Sequence, residues 1–298
     1  MKLNWQLIIL TWILCVIPSM ALGQVKVVAT LPTLGALARE VGGSDITVEV
    51  LARPGEDPHF VDPRPDFVLK LSRADLLIHN GMELEIGWLP ALQKNARNAR
   101  VQANGEGVLD TSTFIQPLEV PTGKVDRSDG DVHAQGNPHY LYSLDNAIAV
   151  ADGIAQKLSS IDPSHAENYR QRLATFKRAA SETGQKWKSK FAALDARGRR
   201  IVGYHASLVY LCTWLGLEQV ATVEPKPGVS PSPSHVAKLV AQLKTSPVGA
   251  IVQETYHPRG TSEKIAQMTG AKCVIFSPGP QDDEPYLEYI DKMMTKFF

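Results

Sequence analysis

The sequence predicts an α/β protein of two parallel-rich lobes joined by one long rigid helix, with a ligand cleft between the lobes. Three observations carry this expectation. Short apolar, β-branched runs alternate with helical patterns through the first half; one amphipathic stretch of roughly eight turns follows; the alternation then restarts. In order, VKVVAT (25–30), ITVEVL (46–51) and ADLLIHNG (74–81) are strands bounded by glycine, proline or charged turns, with helical stretches at 32–42 and 65–73 between them. Residues 104–138 are rich in Gly, Asp, Thr and Pro and read as loops, with a mobile stretch around Lys124–Gln135.

Asp162-Pro163 reads as a helix start, an N-cap acceptor followed by proline at the first helical position. From there Tyr169, Leu173, Phe176, Ala180, Trp187, Phe191 and Leu194 recur at three- and four-residue steps, with a polar gap near Thr183. At 1.5 Å per residue such a helix reaches about 45 Å, the height of two stacked domains, and Gly198 ends it. Beyond it, RIVGYH (200–205), QVATVE (219–224), GAIVQET (249–255) and CVIFS (273–277) are strands, with helices at 206–216, 234–244, 259–269 and 284–297. Ser232 or Ser234 caps the second of these. The expected division is a signal peptide at 1–23, a first lobe at 24–161, the linking helix at 162–197 and a second lobe at 198–298.

Lys2, the apolar run Leu7 to Ile17, Pro18 and the small residues around Ala21-Leu22-Gly23 form a secretory leader, with Gln24 as the new N-terminus. The run is shorter than the roughly 20 residues that a membrane span requires. Cys15 lies inside that run, in the wrong context for lipid attachment. Basic and acidic residues both number 31, so removing 1–23, with one lysine and no acid, leaves a balance of about −1. That argues against bulk attraction to nucleic acid or an anionic membrane. Cys212 and Cys273 sit in apolar runs and read as buried thiols, with a disulfide as the lesser alternative.

The chemistry concentrates in His59 (GEDPHFVDP), His139 (GNPHYLYS) and His205 (RIVGYHAS), each at the end of a strand-like run or in a loop beyond one. Ligands of open α/β folds gather at the carboxyl ends of the strands. Pro58 and Pro138 restrict the backbone before two of these histidines. Three neutral imidazoles form a metal site with one position open and favour zinc over manganese or calcium, which prefer oxygen. The fourth donor is water or a carboxylate. Glu254, ending GAIVQET, is the candidate, either as a direct ligand or as the acceptor of a ligand histidine's other N–H. The remaining histidines have blander readings: His79 in a strand, His165 solvated, His235 at a helix start, His257 in a loop, and His133 a weak transient site. Asp282-Asp283-Glu284 reads as a solvated helix start. Neither HExxH nor GxSxG occurs.

These residues resemble the zinc/manganese solute-binding proteins of bacterial ABC importers over essentially the whole chain after the leader. The likeness rests on VVATLPTLGALAREVGG, on the block from PGEDPHFVDP to LEIGWL, on GDVHAQGNPHYLYSLDNA and on VGYHASLVYL. It implies two α/β lobes around a rigid helix at 163–195, with a buried metal held by His59, His139 and His205. It further implies a periplasmic monomer, not an enzyme, that delivers Zn(II) to an inner-membrane permease; Mn(II) or iron is the alternative cargo. A secreted zinc hydrolase with three histidines and a water is the rival from another class. Two departures stand out. Pro278 occupies the place where many members carry an aspartate ligand, so that carboxylate is absent, displaced to Asp282 or Asp283, or replaced by Glu254 or water. The loop before the second ligand, often long and histidine-rich, is short here and holds only His133.

Overall fold

The computed structural model describes residues 23–126 and 130–298. The expected leader, apart from Gly23, and residues 127–129 of the stretch expected to be mobile lie outside the described residues. Two wholly parallel four-stranded sheets organise the chain. The first contains β1 (Val25–Ala29), β2 (Ile46–Val50), β3 (Leu76–His79) and β4 (Val108–Asp110), in the order β2-β1-β3-β4. The second contains β5 (Arg200–Gly203), β6 (Glu218–Thr222), β7 (Ala250–Glu254) and β8 (Lys272–Phe276), in the order β6-β5-β7-β8. The order is the same in both, so each sheet reverses its winding beside its first strand. A crevice opens at the carboxyl ends of β1 and β3 in one sheet, and of β5 and β7 in the other.

The burial pattern follows position in the sheet. Central β7 is buried at every residue, as a parallel strand covered on both faces must be, whereas edge strand β2 has only its first residue buried. Nine helices are described: α1 (Pro32–Gly42), α2 (Pro65–Arg73), α3 (Leu89–Ala96), α4 (Leu144–Ile161), α5 (Ala166–Ala192), α6 (Val209–Leu215), α7 (Pro233–Thr245), α8 (Arg259–Thr269) and α9 (Tyr286–Thr295). Proline stands in the first turn of α1, α2 and α7, where its missing N–H costs no intrahelical bond. Ser232 is the cap of α7, its hydroxyl accepting from the His235 amide at 3.2 Å.

The linking helix differs from expectation at its start. Pro163–His165 forms a single tight turn, and α5 begins at Ala166. The Asp162 carboxylate caps no backbone amide; it accepts from the Ser164 hydroxyl, from His165 Nδ1 at 2.6 Å and from the Tyr169 hydroxyl at 2.8 Å. Those side-chain donors outcompete the helix's first amides. At 27 residues α5 is about 40 Å long. The expected polar gap falls at Gly184, which is buried and lies against Leu144 and Trp214 at 3.8 Å.

Helix α4 was not expected from the sequence. Its buried face runs through Leu144, Ala147, Val150, Ala151, Ile154, Ala155 and Leu158, and alanine dilutes the apolar signal. Helix α9 returns to pack on α5 and α1. The Tyr286 hydroxyl donates to the Leu141 carbonyl at 2.7 Å, the Trp187 indole N–H donates to Asp291, and Phe191 meets Phe297 and Phe298. One apolar cluster therefore runs from Val25 to Met294 through the linking helix, with a smaller one around Val202, Val223 and Leu243. Cys212 and Cys273 are both free and pack in different clusters.

Phe191 is fully buried where α5, α9 and the C-terminal phenylalanines meet. Phe191→Ala is expected to cost about 3–5 kcal/mol of unfolding free energy, read by equilibrium denaturation. A loss below about 1 kcal/mol would mean that α9 does not depend on this contact.

Candidate metal centre

His59, His139 and His205 converge. One ring nitrogen from each lies within 4.8 Å of the other two, and the ring centroids are 5.2–5.5 Å apart. All three residues are buried, at 9, 9 and 4 % exposure. His205 leaves the end of β5, two residues beyond Gly203; His59 lies in the loop beyond β2 and His139 beyond β4.

Each imidazole is held through a neighbouring peptide group. The Trp88 indole donates to the carbonyl of Pro58, just before His59, at 3.0 Å. The Asn80 side chain donates to the carbonyl of Pro138, just before His139, at 3.0 Å. The Asn137 side chain donates to the carbonyl of Ala206, just after His205, while its oxygen accepts from the His139 amide at 3.0 Å. Tyr210 locks this last junction, its hydroxyl donating to the Asn137 carbonyl at 2.9 Å and accepting from the Leu118 amide at 2.9 Å. Beneath Asn80 sits Glu85, which accepts from the Thr30 hydroxyl at 2.7 Å and from the amides of Asn80 and Gly81 at 2.6 and 3.1 Å. Burial nevertheless raises the Glu85 carboxyl above its ordinary range.

Carboxylates orient two of the rings. His59 Nδ1 lies 2.8 Å from Asp57 Oδ1, and His205 Nδ1 lies 2.8 Å from Glu224 Oε2, which also accepts from the Gly228 amide at 3.0 Å. Burial opposes charge on Asp57, but the hydrogen bonds and charge of His59 outweigh it and hold the carboxyl below its ordinary value. Burial likewise opposes a proton on His205, and the Glu224 carboxylate outweighs it, raising that imidazole. With Nδ1–H donated to a carboxylate, each ring turns its Nε2 lone pair inward. His139 is pushed well below the ordinary histidine range by burial and by the imidazoles around it. Nε2 of both His59 and His139 is buried without a hydrogen-bond partner. Unpartnered, buried lone pairs facing one another are what a cation would satisfy.

Glu254 is not within this group of three. Its Oε1 accepts from the Ser207 hydroxyl at 2.6 Å and the Tyr142 hydroxyl at 3.2 Å, and its Oε2 faces His257 Nε2 at 3.6 Å. The histidine N–H acceptors are Asp57 and Glu224. Sequence reasoning passed over both, although Glu224 ends QVATVE at the same sheet edge that was expected to present Glu254. Two further histidines stand closer than expected. His257 stacks on Tyr204 with centroids 4.2 Å apart and lies 6.0 Å from His205, and His133 stacks on His59 at 5.4 Å. Burial and the charges of His59 and His205 lower His133 to about 4. Asp282 and Asp283 lie elsewhere, against Arg39, and Glu284 pairs with Lys292, so no carboxylate is displaced from the Pro278 position into the site. His79 closes β3, His165 pairs with Asp162, and His235 sits in the first turn of α7.

Among the described residues no helix is long and apolar enough to cross a membrane. Residues 27–297 match the family described as the periplasmic zinc-uptake complex component A, ZnuA. The chain is 29% identical over 257 residues to the metal ABC transporter substrate-binding lipoprotein FimA of Streptococcus parasanguinis, covering 84% of this chain and 79% of the relative. It is 28% identical to the manganese ABC transporter substrate-binding lipoprotein PsaA of Streptococcus pneumoniae, covering 78% and 72%. To the iron ABC transporter substrate-binding lipoprotein MtsA of Streptococcus pyogenes serotype M1 it is 26% identical, covering 83% and 77%. The fold matches a crystal structure of ZnuA with a TM-score of 0.77 at 24% identity, covering 92% of this chain and 97% of that one. It also matches the cadmium-bound periplasmic metal-binding protein of Candidatus Liberibacter asiaticus, with a TM-score of 0.74 at 23% identity and the same coverage. The chain belongs to the ZnuA family, the substrate-binding components of metal ABC transporters, proteins that carry a metal ion to a membrane permease rather than enzymes.

Proposed function

We propose that this protein captures Zn(II) with His59, His139 and His205 and hands it to the inner-membrane permease of an ABC importer, acting as a periplasmic monomer once residues 1–23 are removed. No bond is made or broken; the ion is cargo. The observation that carries the reading is the convergence of three buried imidazoles, two of them tied through Nδ1 to carboxylates. The lobes read as 24–161 and 198–298, with 162–197 as the connection.

The relatives named for manganese and iron make the metal a matter of local donors. Here the donors at hand are nitrogen. Asp57 and Glu224 are engaged by imidazole N–H groups, Pro278 offers no ligand, and Asp282 to Glu284 pair outside the site. A nitrogen-rich set favours zinc over manganese. Glu254, among the described residues the one carboxylate with a buried unpartnered oxygen, supports the site from behind through Ser207, two residues from His205. Zinc–nitrogen bonds of about 2.0–2.1 Å in a tetrahedral site set nitrogens about 3.3 Å apart. From a spread of up to 4.8 Å, the rings thus close by about an ångström and a half or less. A linking helix bonded into both lobes through one core suits such a small movement better than a wide hinge.

Replacing any one of His59, His139 or His205 by alanine is expected to abolish tight zinc binding while leaving the fold intact. Competition with a chromophoric chelator, run in parallel with manganese, reads this. Manganese held in preference to zinc by the unmodified protein would overturn the assignment. For the supporting carboxylates, Asp57→Asn and Glu224→Gln are each expected to weaken zinc about 10–100-fold, because the imidazoles lose both orientation and basicity. Glu254→Gln is expected to change it less than about tenfold. The reverse ranking would make Glu254 a ligand.

A further inference from the structure

Resting on the zinc reading above, we infer that Glu85 is the positioning residue for His139, its buried carboxylate setting that ligand through Asn80 rather than through the ring. Carboxylates reach the other two ligands directly, Asp57 at His59 and Glu224 at His205. Among the described residues no carboxylate reaches the His139 imidazole, whose surroundings are other imidazoles. Its place is set by the residues on either side. The Asn80 side chain donates to the Pro138 carbonyl at 3.0 Å, and the Tyr140 hydroxyl donates to the Asn80 carbonyl. One asparagine thus grips the peptide before the ligand and the side chain after it.

Asn80 is in turn set by Glu85. Oε1 of Glu85 accepts from the Asn80 amide at 2.6 Å and from the Thr30 hydroxyl at 2.7 Å, and Oε2 accepts from the Gly81 amide at 3.1 Å. Thr30 follows β1 and Asn80 follows β3, so this carboxylate ties together the two strand ends that flank the crevice of the first sheet. The chain between Asn80 and Glu85 is wound unfavourably. Gly81, Met82 and Glu83 are all left-handed, with φ of 80°, 50° and 64°, a conformation that L-residues avoid in succession. A side chain at Gly81 would also collide with the Asp110 carboxylate and the Ser112 hydroxyl. Glu85, reaching back to the amides of Asn80 and Gly81, holds this turn closed and fixes where Asn80 leaves β3.

A carboxylate is a costly choice for this position. Glu85 is 3 % exposed, and burial raises its carboxyl. Its three hydrogen-bond donors are all neutral, and the two backbone amides can only donate, so the contacts suit the ionised form that burial opposes. A side chain needed only to fill the space would not take a charge out of water. The three ligands therefore have three carboxylates behind them, two on the rings and one acting at a remove through the backbone.

The test is zinc affinity, by chelator competition, for the unmodified protein, Glu85→Gln, Asn80→Ala and the double variant, with the visible spectra of the cobalt(II)-loaded forms reporting ligand geometry. Glutamine keeps the shape but sets an NH2 group against a backbone amide. Each single variant is expected to bind zinc at least about tenfold more weakly and to show altered cobalt bands, and the double variant to lose no more than the worse single one. A residue serving the fold alone would lower the melting temperature and leave the affinity and the cobalt bands unmoved; that result overturns the inference. So would single losses that multiply in the double variant, because Glu85 would then act independently of Asn80. Should Glu85→Gln fail to fold, Thr30→Val removes one donor from the carboxylate and is read against Asn80→Ala in the same cycle. His139→Ala separates the two claims. Tight zinc there would sink the three-histidine reading and this inference with it, whereas zinc lost there but unchanged in Glu85→Gln would sink this inference alone.

Discussion

The arrangement depends on holding mutually unhelpful groups together. Neutral imidazoles crowded in a buried space gain nothing from one another, and each buried lone pair left without a donor costs about 1–3 kcal/mol. The rings stay because their neighbouring peptide groups are fixed from outside: Pro58 by Trp88, Pro138 by Asn80 and Ala206 by Asn137. Each anchor is a hydrogen bond to a carbonyl beside the histidine, the first two of them buried, so the backbone bears the placement. The fold thus carries a cluster of buried imidazoles whose unpartnered lone pairs are unfavourable by themselves.

The scaffold beneath is what makes this affordable. β7 and the middle of β1 are buried on both faces, and β5 is buried beyond its first residue. α5 is welded to α9 and α4, so both sheets share one core through the linking helix. The segments 130–137 and 224–229 are short and meet through a backbone hydrogen bond from the Asp131 amide to the Pro227 carbonyl at 3.0 Å.

Electrostatics adds direction. Asp57 and Glu224 each take an imidazole N–H, which fixes the tautomer, turns the other ring nitrogen's lone pair inward and sets negative charge behind the ring. The two carboxylates come from different lobes, one preceding its histidine by two residues and the other following by nineteen. The same task is therefore met once by a local turn and once by a neighbouring strand.

That contrast separates what is legible in the chain from what is not. Strands such as 25–29 and 250–254, helices 32–42, 65–73 and 259–269, and the long amphipathic helix all follow from side-chain period, and that information lies within a dozen residues. The three histidines were legible for the same reason, each placed by strand ends and Pro-His junctions, with the family likeness pointing to the same residues. Helix 144–161 escaped because alanine weakens its apolar stripe, and strand 108–110 because three residues leave no period to read. Only the tertiary structure decided which acid serves which histidine. Glu224 and Glu254 end adjacent runs at the same edge and are chemically identical, yet parallel pairing beside β5 sets Glu224 on His205, while Glu254 turns to Ser207 and Tyr142. It likewise brought His133 onto His59 across 74 residues of chain, because contact at that separation is set by packing and register and leaves no local pattern in the sequence.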